Sequence, residues 1–206
     1  MLDGPGDGSP ERSPQINLAA LRTLVELARA YPDRLLRTLR SGRARAAVER
    51  FVAIYSRPSL PWEDLPFLRE RTRLPIVLKG ILHREDAERA LDHGMDGIVV
   101  SNHGGRQVDG AIATLDALPE ILEAVAGRAP ALLDSGIGGD ADAFKALALG
   151  ATAVLLGRSY AYGLAVAGEA GVREVIQNEV GELDLTLGLA GGSATGELDR
   201  GALVRG

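Results

Sequence analysis

The stretch "GIVVSNHGGR", residues 97–106, decides how the rest of this chain is read. Three apolar residues, Ile98 to Val100, stop abruptly at Ser-Asn-His-Gly-Gly-Arg. A short run that is continuously apolar, rather than alternating, is the pattern of a strand buried on both faces. Three more runs of this kind surround it: "PIVLKG" (75–80), "PALLDSG" (130–136) and "AVLLGRS" (153–159). Between them lie "REDAERALDHG", "LDALPEILEAVAG" and "GDADAFKALALG", each with helical spacing and a closing Gly suited to a left-handed cap. A further helix, "AGEAGVREVIQNEVGELDLTLGL", follows the last run. The unit strand–turn–helix thus occurs four times, which predicts an α/β fold with a parallel sheet.

Such units build either an open doubly wound sheet or a (β/α)₈ barrel, and in both the ligand sits at the carboxyl ends of the strands. The chemistry-bearing residues fall there: Lys79, then Ser101 with His103 and Arg106, then Asp134 with Gly136, then Gly157 with Arg158. Residues 1–73 show no strand pattern, whereas a closed barrel needs eight strands.

The remainder is read more simply. Residues 1–15, rich in Gly, Pro, Ser and Asp, read as a disordered leader. A helical segment over 16–58 follows, with Leu21, Leu24, Val25 and Ala28 on one face. Between residues 22 and 50 it carries eight Arg against three acids, either a solvated face or a contact for an acidic partner. The net charge of −5 argues against nucleic acid or anionic lipid as a partner. The absence of cysteine excludes disulfides and thiolate chemistry, and no metal-ligating cluster is apparent. No apolar run approaches the ~18 residues of a membrane span, so a soluble, cytoplasmic protein is expected.

The candidate residues have stated chemistry. "DSGIGG" and "LLGRS" each join a strand to a helix, where backbone N–H groups and a helix N-terminus favour a phosphate, with Arg158 as a bidentate partner. Lys79 ends a strand in a chain with 21 Arg and only two Lys, and its compact charge suits a developing anion. His83 and His93 lie at helix ends and read as caps. His103, beside Gly104 and Gly105 and three residues before Arg106, reads either as a general base facing a carboxylate substrate or as part of a polar turn.

The motifs "LPIVLKGI", "DGIVVSNHGGRQVDGAIATLDALPEI", "ADAFKALALGATAVLLGRSYAYGLAVAGEAGV" and "LDLTLGLAG" closely resemble the FMN-dependent α-hydroxy-acid oxidising family, most nearly its lactate-monooxygenase-like branch. The resemblance covers 59–191, with 192–206 as a flexible tail. It implies the C-terminal half of a (β/α)₈ barrel, about four βα units, preceded by the helical segment. It implies FMN as cofactor and a small L-2-hydroxy acid, such as lactate, as substrate. By the same resemblance Lys79 and Ser101 would contact the flavin, and Asp134, Ser135, Gly136, Ile137 and Gly138 with Gly157 and Arg158 would cradle its phosphate. His103 would take the substrate proton, and Arg106 would hold the carboxylate. One departure stands out: the family pattern "DGGVRRG" has Arg where this chain has Gly138. Because the resemblance spans strands five to eight, catalysis is expected to need four more strands, from a complementing N-terminal half-barrel chain or a homo-oligomer. The alternative expectation is a family fragment, catalytically incompetent, or a module that binds FMN or phosphate weakly.

Overall fold

The computed structural model describes residues 41–55 and 60–204, together with Leu18, Leu21, Arg22, Val25, Glu26 and Arg29. The leader expected over 1–15 lies outside the described residues, as does most of the helical segment over 16–40 and 56–58. The chain divides into two compact units, residues 1–60 and 61–206. In the first unit, α1 (Arg43–Tyr55) is a helix, and an i,i+4 pair joins Arg22 to Glu26 at 2.9 Å.

The second unit holds the βα repeat. A short helix, α2 (Leu65–Arg69), precedes β1 (Val77–Ile81). Then follow α3 (Arg84–Asp92), β2 (Gly97–Val100), α4 (Thr114–Val125), β3 (Ala131–Asp134), α5 (Asp140–Leu149), β4 (Ala153–Leu155) and α6 (Arg158–Leu189). The four strands are parallel and hydrogen-bonded in the order β1-β2-β3-β4. Consecutive parallel neighbours joined by helices are the consequence of the repeat the sequence shows.

Local chemistry sets the helix ends. His83 caps α3, its Nδ1 accepting from Glu85 N at 3.3 Å, and Glu85 and Asp86 complement the positive end of the helix. His93 closes the same helix and stacks on Trp62 with ring centroids 6.0 Å apart. At the end of α4 the glycine the sequence suggested, Gly127, is left-handed at φ 72°, and the capping residue before it, Ala126, is left-handed as well at φ 49°.

Alternation within the strands sorts the two faces of the sheet. Leu78, Ile98, Val100, Ala131, Leu133 and Val154 join Leu118, Ile121 and Val125 of α4 in the core. Lys79, Val99, Leu132 and Ala153 form one register row on the opposite face. The expectation of strands buried on both faces holds for β2, whose four residues are all buried. In β1, Val77 is 43% exposed, and all three residues of β4 are only partly covered. In β3 only Ala131 and Leu133 are buried, so the face that carries Lys79, Leu132 and Ala153 is the less covered one.

The largest departure from the sequence reading is α6. The helix begins at Arg158, directly after β4, and is broken at Ala167 and Gly168. The expected helix from Ala167 is its second arm. The two arms cross where Gly163 meets Gly171: a Cβ on Gly171 would lie 2.1 Å from the Gly163 carbonyl oxygen, so backbone packs on backbone. The second arm packs along α5, where the Thr186 hydroxyl donates to Asp140. Residues 192–204 add two 3₁₀ turns, Thr195–Glu197 and Arg200–Ala202. Among the described residues no helix is long and apolar enough to cross a membrane.

Candidate functional site

Parallel register brings the ends of β1, β2 and β3 side by side, and their polar residues form one cluster. Lys79 reaches from β1 to donate to Ser101 Oγ at 2.9 Å and to Asp134 Oδ2 at 2.6 Å. Ser101, fully buried, donates to the same carboxylate oxygen at 2.5 Å and accepts from His103 N at 3.1 Å. Ser135 adds a third donor to Asp134 Oδ2, at 3.1 Å. Burial opposes ionisation of Asp134, but the hydrogen bonds from Lys79 and Ser101, the Lys79 charge and the Ser135 hydroxyl together hold its carboxyl below the usual range. All three donors converge on Oδ2, so Oδ1 has no partner among the described residues and is open to a ligand donor.

The turn after β2 is unusual in its backbone. His103, Gly104 and Gly105 have φ of 56°, 67° and 72°, three left-handed residues in succession. For His103 that conformation costs about 1–3 kcal/mol. It is held by the Ser101 contact, by Arg106 Nε donating to His103 O at 3.1 Å, and by Gly104 N donating to Asn102 Oδ1 at 3.0 Å. The imidazole then lies over β1. Gly80, at φ +103° in a break of the β1–β2 register, leaves the space: a Cβ there would meet His103 Nε2 at 2.9 Å. The His103 ring makes no hydrogen bond among the described residues, which leaves its nitrogens available for proton transfer.

Beside the cluster opens a pocket of about 430 Å³, walled by Asp134–Gly138, Gly157–Ser159, Gly104, Arg106, Leu155 and Tyr162. Two guanidiniums, Arg106 and Arg158, face one acid, and that acid is already paired with Lys79. Gly157 caps α6 without a side-chain hydrogen bond, so the first N–H groups of that helix are open at the pocket. Cations, free helix N–H groups and a Gly-rich turn together favour an anion, above all a phosphate. Arg158 is itself oriented by donating to Gly104 O at 3.3 Å, and a Cβ on Gly104 would stand 3.0 Å from its Nη2.

Thus the sequence-predicted residues fall into two adjoining groups. Lys79, Ser101, Asp134 and Ser135 share one hydrogen-bonded cluster, while Arg106, Asp134 to Gly138, Gly157 and Arg158 share the pocket. His103 does not line the pocket but stands beside it, over Gly80. Gly138 lines the pocket, but its amide donates to Asp142 Oδ2 at 3.1 Å and is not free. Sequence reading missed Gly80, Asn102, Thr114 and Tyr162. Gly80 left a signal, a glycine directly after the lysine that ends a strand; the other three left none.

A family model described as FMN-dependent dehydrogenase matches residues 8–205. An L-lactate oxidase from Lysinibacillus sphaericus (strain C3-41) is 57% identical over 65% of this chain and 35% of its own length. A peroxisomal (S)-2-hydroxy-acid oxidase from Oryza sativa subsp. japonica is 50% identical over 74% of this chain and 42% of its own. The crystal structure of a mandelate oxidase superposes with a TM-score of 0.66 at 49% identity, over 68% of this chain and 43% of that one. The four βα units are accordingly part of a (β/α)₈ barrel. The chain spans about two fifths of the length of the curated relatives it matches.

Proposed function

This chain belongs to the FMN-dependent dehydrogenase family, and on that premise we propose that it takes part in FMN-dependent oxidation of a small L-2-hydroxy acid. The observation that carries the proposal is a free imidazole, His103 over Gly80, standing beside a cation-lined pocket and the Lys79–Asp134–Ser101 cluster. The pocket fits the phosphate end of FMN through the open start of α6, Arg158 and the free space beside Gly136 and Gly157. Asp134 Oδ1 is an acceptor suited to a polyol hydroxyl. When bound, FMN supplies the two-electron acceptor.

The residues of this chain supply the rest. Arg106 holds the substrate carboxylate as a charge-assisted pair. His103 takes a proton from the substrate as general base, a role that usually contributes 10²–10⁴-fold. Lys79, fixed by Ser101 and Asp134, stabilises negative charge that develops near it. The relatives named L-lactate oxidase support lactate as first substrate to test. Strands beyond these four belong to the same proposal, supplied by a complementing half-barrel chain or a second copy, because the outer strands are only half-covered. So do domain limits at 16–58, 59–191 and 192–206, the start of the second supported by the compact unit Pro61–Gly206, and a cytoplasmic location resting on the cysteine-free composition. One observation favours a second reading, a module that binds FMN or phosphate weakly: Asp142 takes the Gly138 amide and so removes a donor from the phosphate turn.

The test is to mix the chain with FMN, desalt it, and record the visible spectrum and molecular mass together. Bound flavin that L-lactate bleaches without oxygen, with bleaching slowed at least ~10²-fold in His103→Ala, is the expected result. Bound flavin that no 2-hydroxy acid bleaches would overturn oxidation and leave the binding module.

A further inference from the structure

The Ser135 side chain is the part of the site for which the chemistry above has no use. Its backbone adopts φ +78°, a conformation that L side chains take up only at a cost. A residue held in that region must be over-determined by its surroundings, and the contacts of Ser135 show how. Its carbonyl oxygen accepts from the buried Thr114 hydroxyl at 2.9 Å. Its own hydroxyl donates to Asp134 Oδ2 at 3.1 Å and accepts from Gly104 N at 3.0 Å. One hydroxyl therefore bridges the end of β3 and the turn that follows β2.

That bridge lands on the peptide joining His103 to Gly104. The His103 ring makes no hydrogen bond among the described residues, so its direction is set by the backbone beneath it. Three contacts hold that backbone: the N–H on the Ser101 hydroxyl, the carbonyl under Arg106, and the Gly104 N–H. The last is shared between Asn102 Oδ1, a neighbour within the same turn, and Ser135 Oγ, which comes from a different strand. Asn102 can shape the turn but moves with it. Ser135 ties it to the Lys79–Asp134 cluster.

We propose that Ser135 is a positioning residue for His103: its hydroxyl anchors the His103–Gly104 peptide to Asp134 and so keeps the imidazole over Gly80. The proposal rests on the reading of His103 as the base, and its test separates the two. Two variants are compared. Ser135→Ala removes the hydroxyl and retains the backbone strain, whereas Ser135→Gly removes both, so unfolding cannot account for an effect the two share.

On the chain without flavin, nuclear magnetic resonance follows the Gly104 amide exchange rate and the three imidazoles, with His103→Gln assigning the third. Expected in both variants are Gly104 exchange faster by about tenfold and a displaced or broadened His103 ring signal, with those of His83 and His93 unmoved. With flavin bound, kcat for the hydroxy acid falls by about tenfold while KM stays within about twofold. An unchanged His103 signal and Gly104 exchange rate would overturn the proposal, whatever happens to melting temperature or turnover. Full oxidation by His103→Ala would instead remove the assignment of the base, and the resonance measurements would still decide whether Ser135 positions the ring.

Discussion

At each end of the sheet a carboxylate meets a cation at 2.6 Å, Arg69 with Asp96 at the amino end and Lys79 with Asp134 at the carboxyl end. At the amino end the surroundings are ordinary backbone. Asp96 Oδ2 accepts from Ile76 N at 2.7 Å while Asp96 N donates to Ile76 O at 2.8 Å, and Arg69 also donates to the carbonyls of Leu74 and Thr72. The pair fastens α2 and the entry to β1. At the carboxyl end the same chemistry is set among two serine hydroxyls, a left-handed His103 and Ser135, and an open pocket. One clamp spends its hydrogen bonds on main-chain groups that need partners. The other spends them on side chains, holding charge and strain where a ligand can use them. Stability at one end and function at the other is the division expected of barrel strands.

Substitutions at the two ends should therefore separate turnover from stability. The largest effect is expected for Gly80→Ala, which places a Cβ 2.9 Å from His103 Nε2 in a strained backbone. Flavin bleaching by hydroxy acid should slow by about 10²-fold with flavin still bound. An unimpaired rate would mean that the imidazole works from elsewhere. Next is Arg158→Ala, which should weaken flavin retention by about tenfold in an ultrafiltration assay and leave the bleaching rate of the bound fraction close to that of the parent. The smallest effect is expected at the amino end. Asp96→Asn keeps an acceptor for Ile76 N and loses the charge opposite Arg69, so melting temperature should fall by a few degrees without change in turnover.

Acid should erase that last difference. The Ile76 N–H and the Arg69 guanidinium hold the Asp96 carboxyl below its ordinary value. A carboxyl depressed on folding stabilises the protein fully above the unfolded value of about 4. That contribution is lost as pH falls through the lower folded value. The melting temperatures of the parent and Asp96→Asn should begin to converge as pH falls below ~4 and meet once it has passed the lower folded value, and a gap that persists below that value would assign the effect to packing instead.

Much of the second unit was legible because each apolar run stops at a glycine or a polar residue, and those stops fall where the strands end. Strand limits moved by a few residues because a run of apolar letters continues past the last ladder hydrogen bond, as Leu156 does after β4. The first arm of α6, from Arg158, was not legible, whereas the second was expected from Ala167, where the break falls. Ala167 and Gly168 interrupt a sequence with adequate helix formers, and what requires the break is the contact of Gly163 with Gly171, two arms packing backbone to backbone. The site was legible as a set of residues and not as an arrangement. His103 and Arg106 are three apart in sequence, yet Arg106 lines the pocket and His103 does not, because three successive left-handed residues turn the chain between them.

By itself the sequence determined a parallel βα repeat and placed Lys79, Ser101, His103, Asp134 and Arg158 at the carboxyl ends of its strands, since strand period and turn composition are local properties. Only the tertiary structure decided that Lys79 pairs with Asp134 and that Gly80 makes room for His103. Those contacts depend on the register between strands 22 to 55 residues apart along the chain. Register is fixed by packing against the helices, which no single stretch of sequence contains.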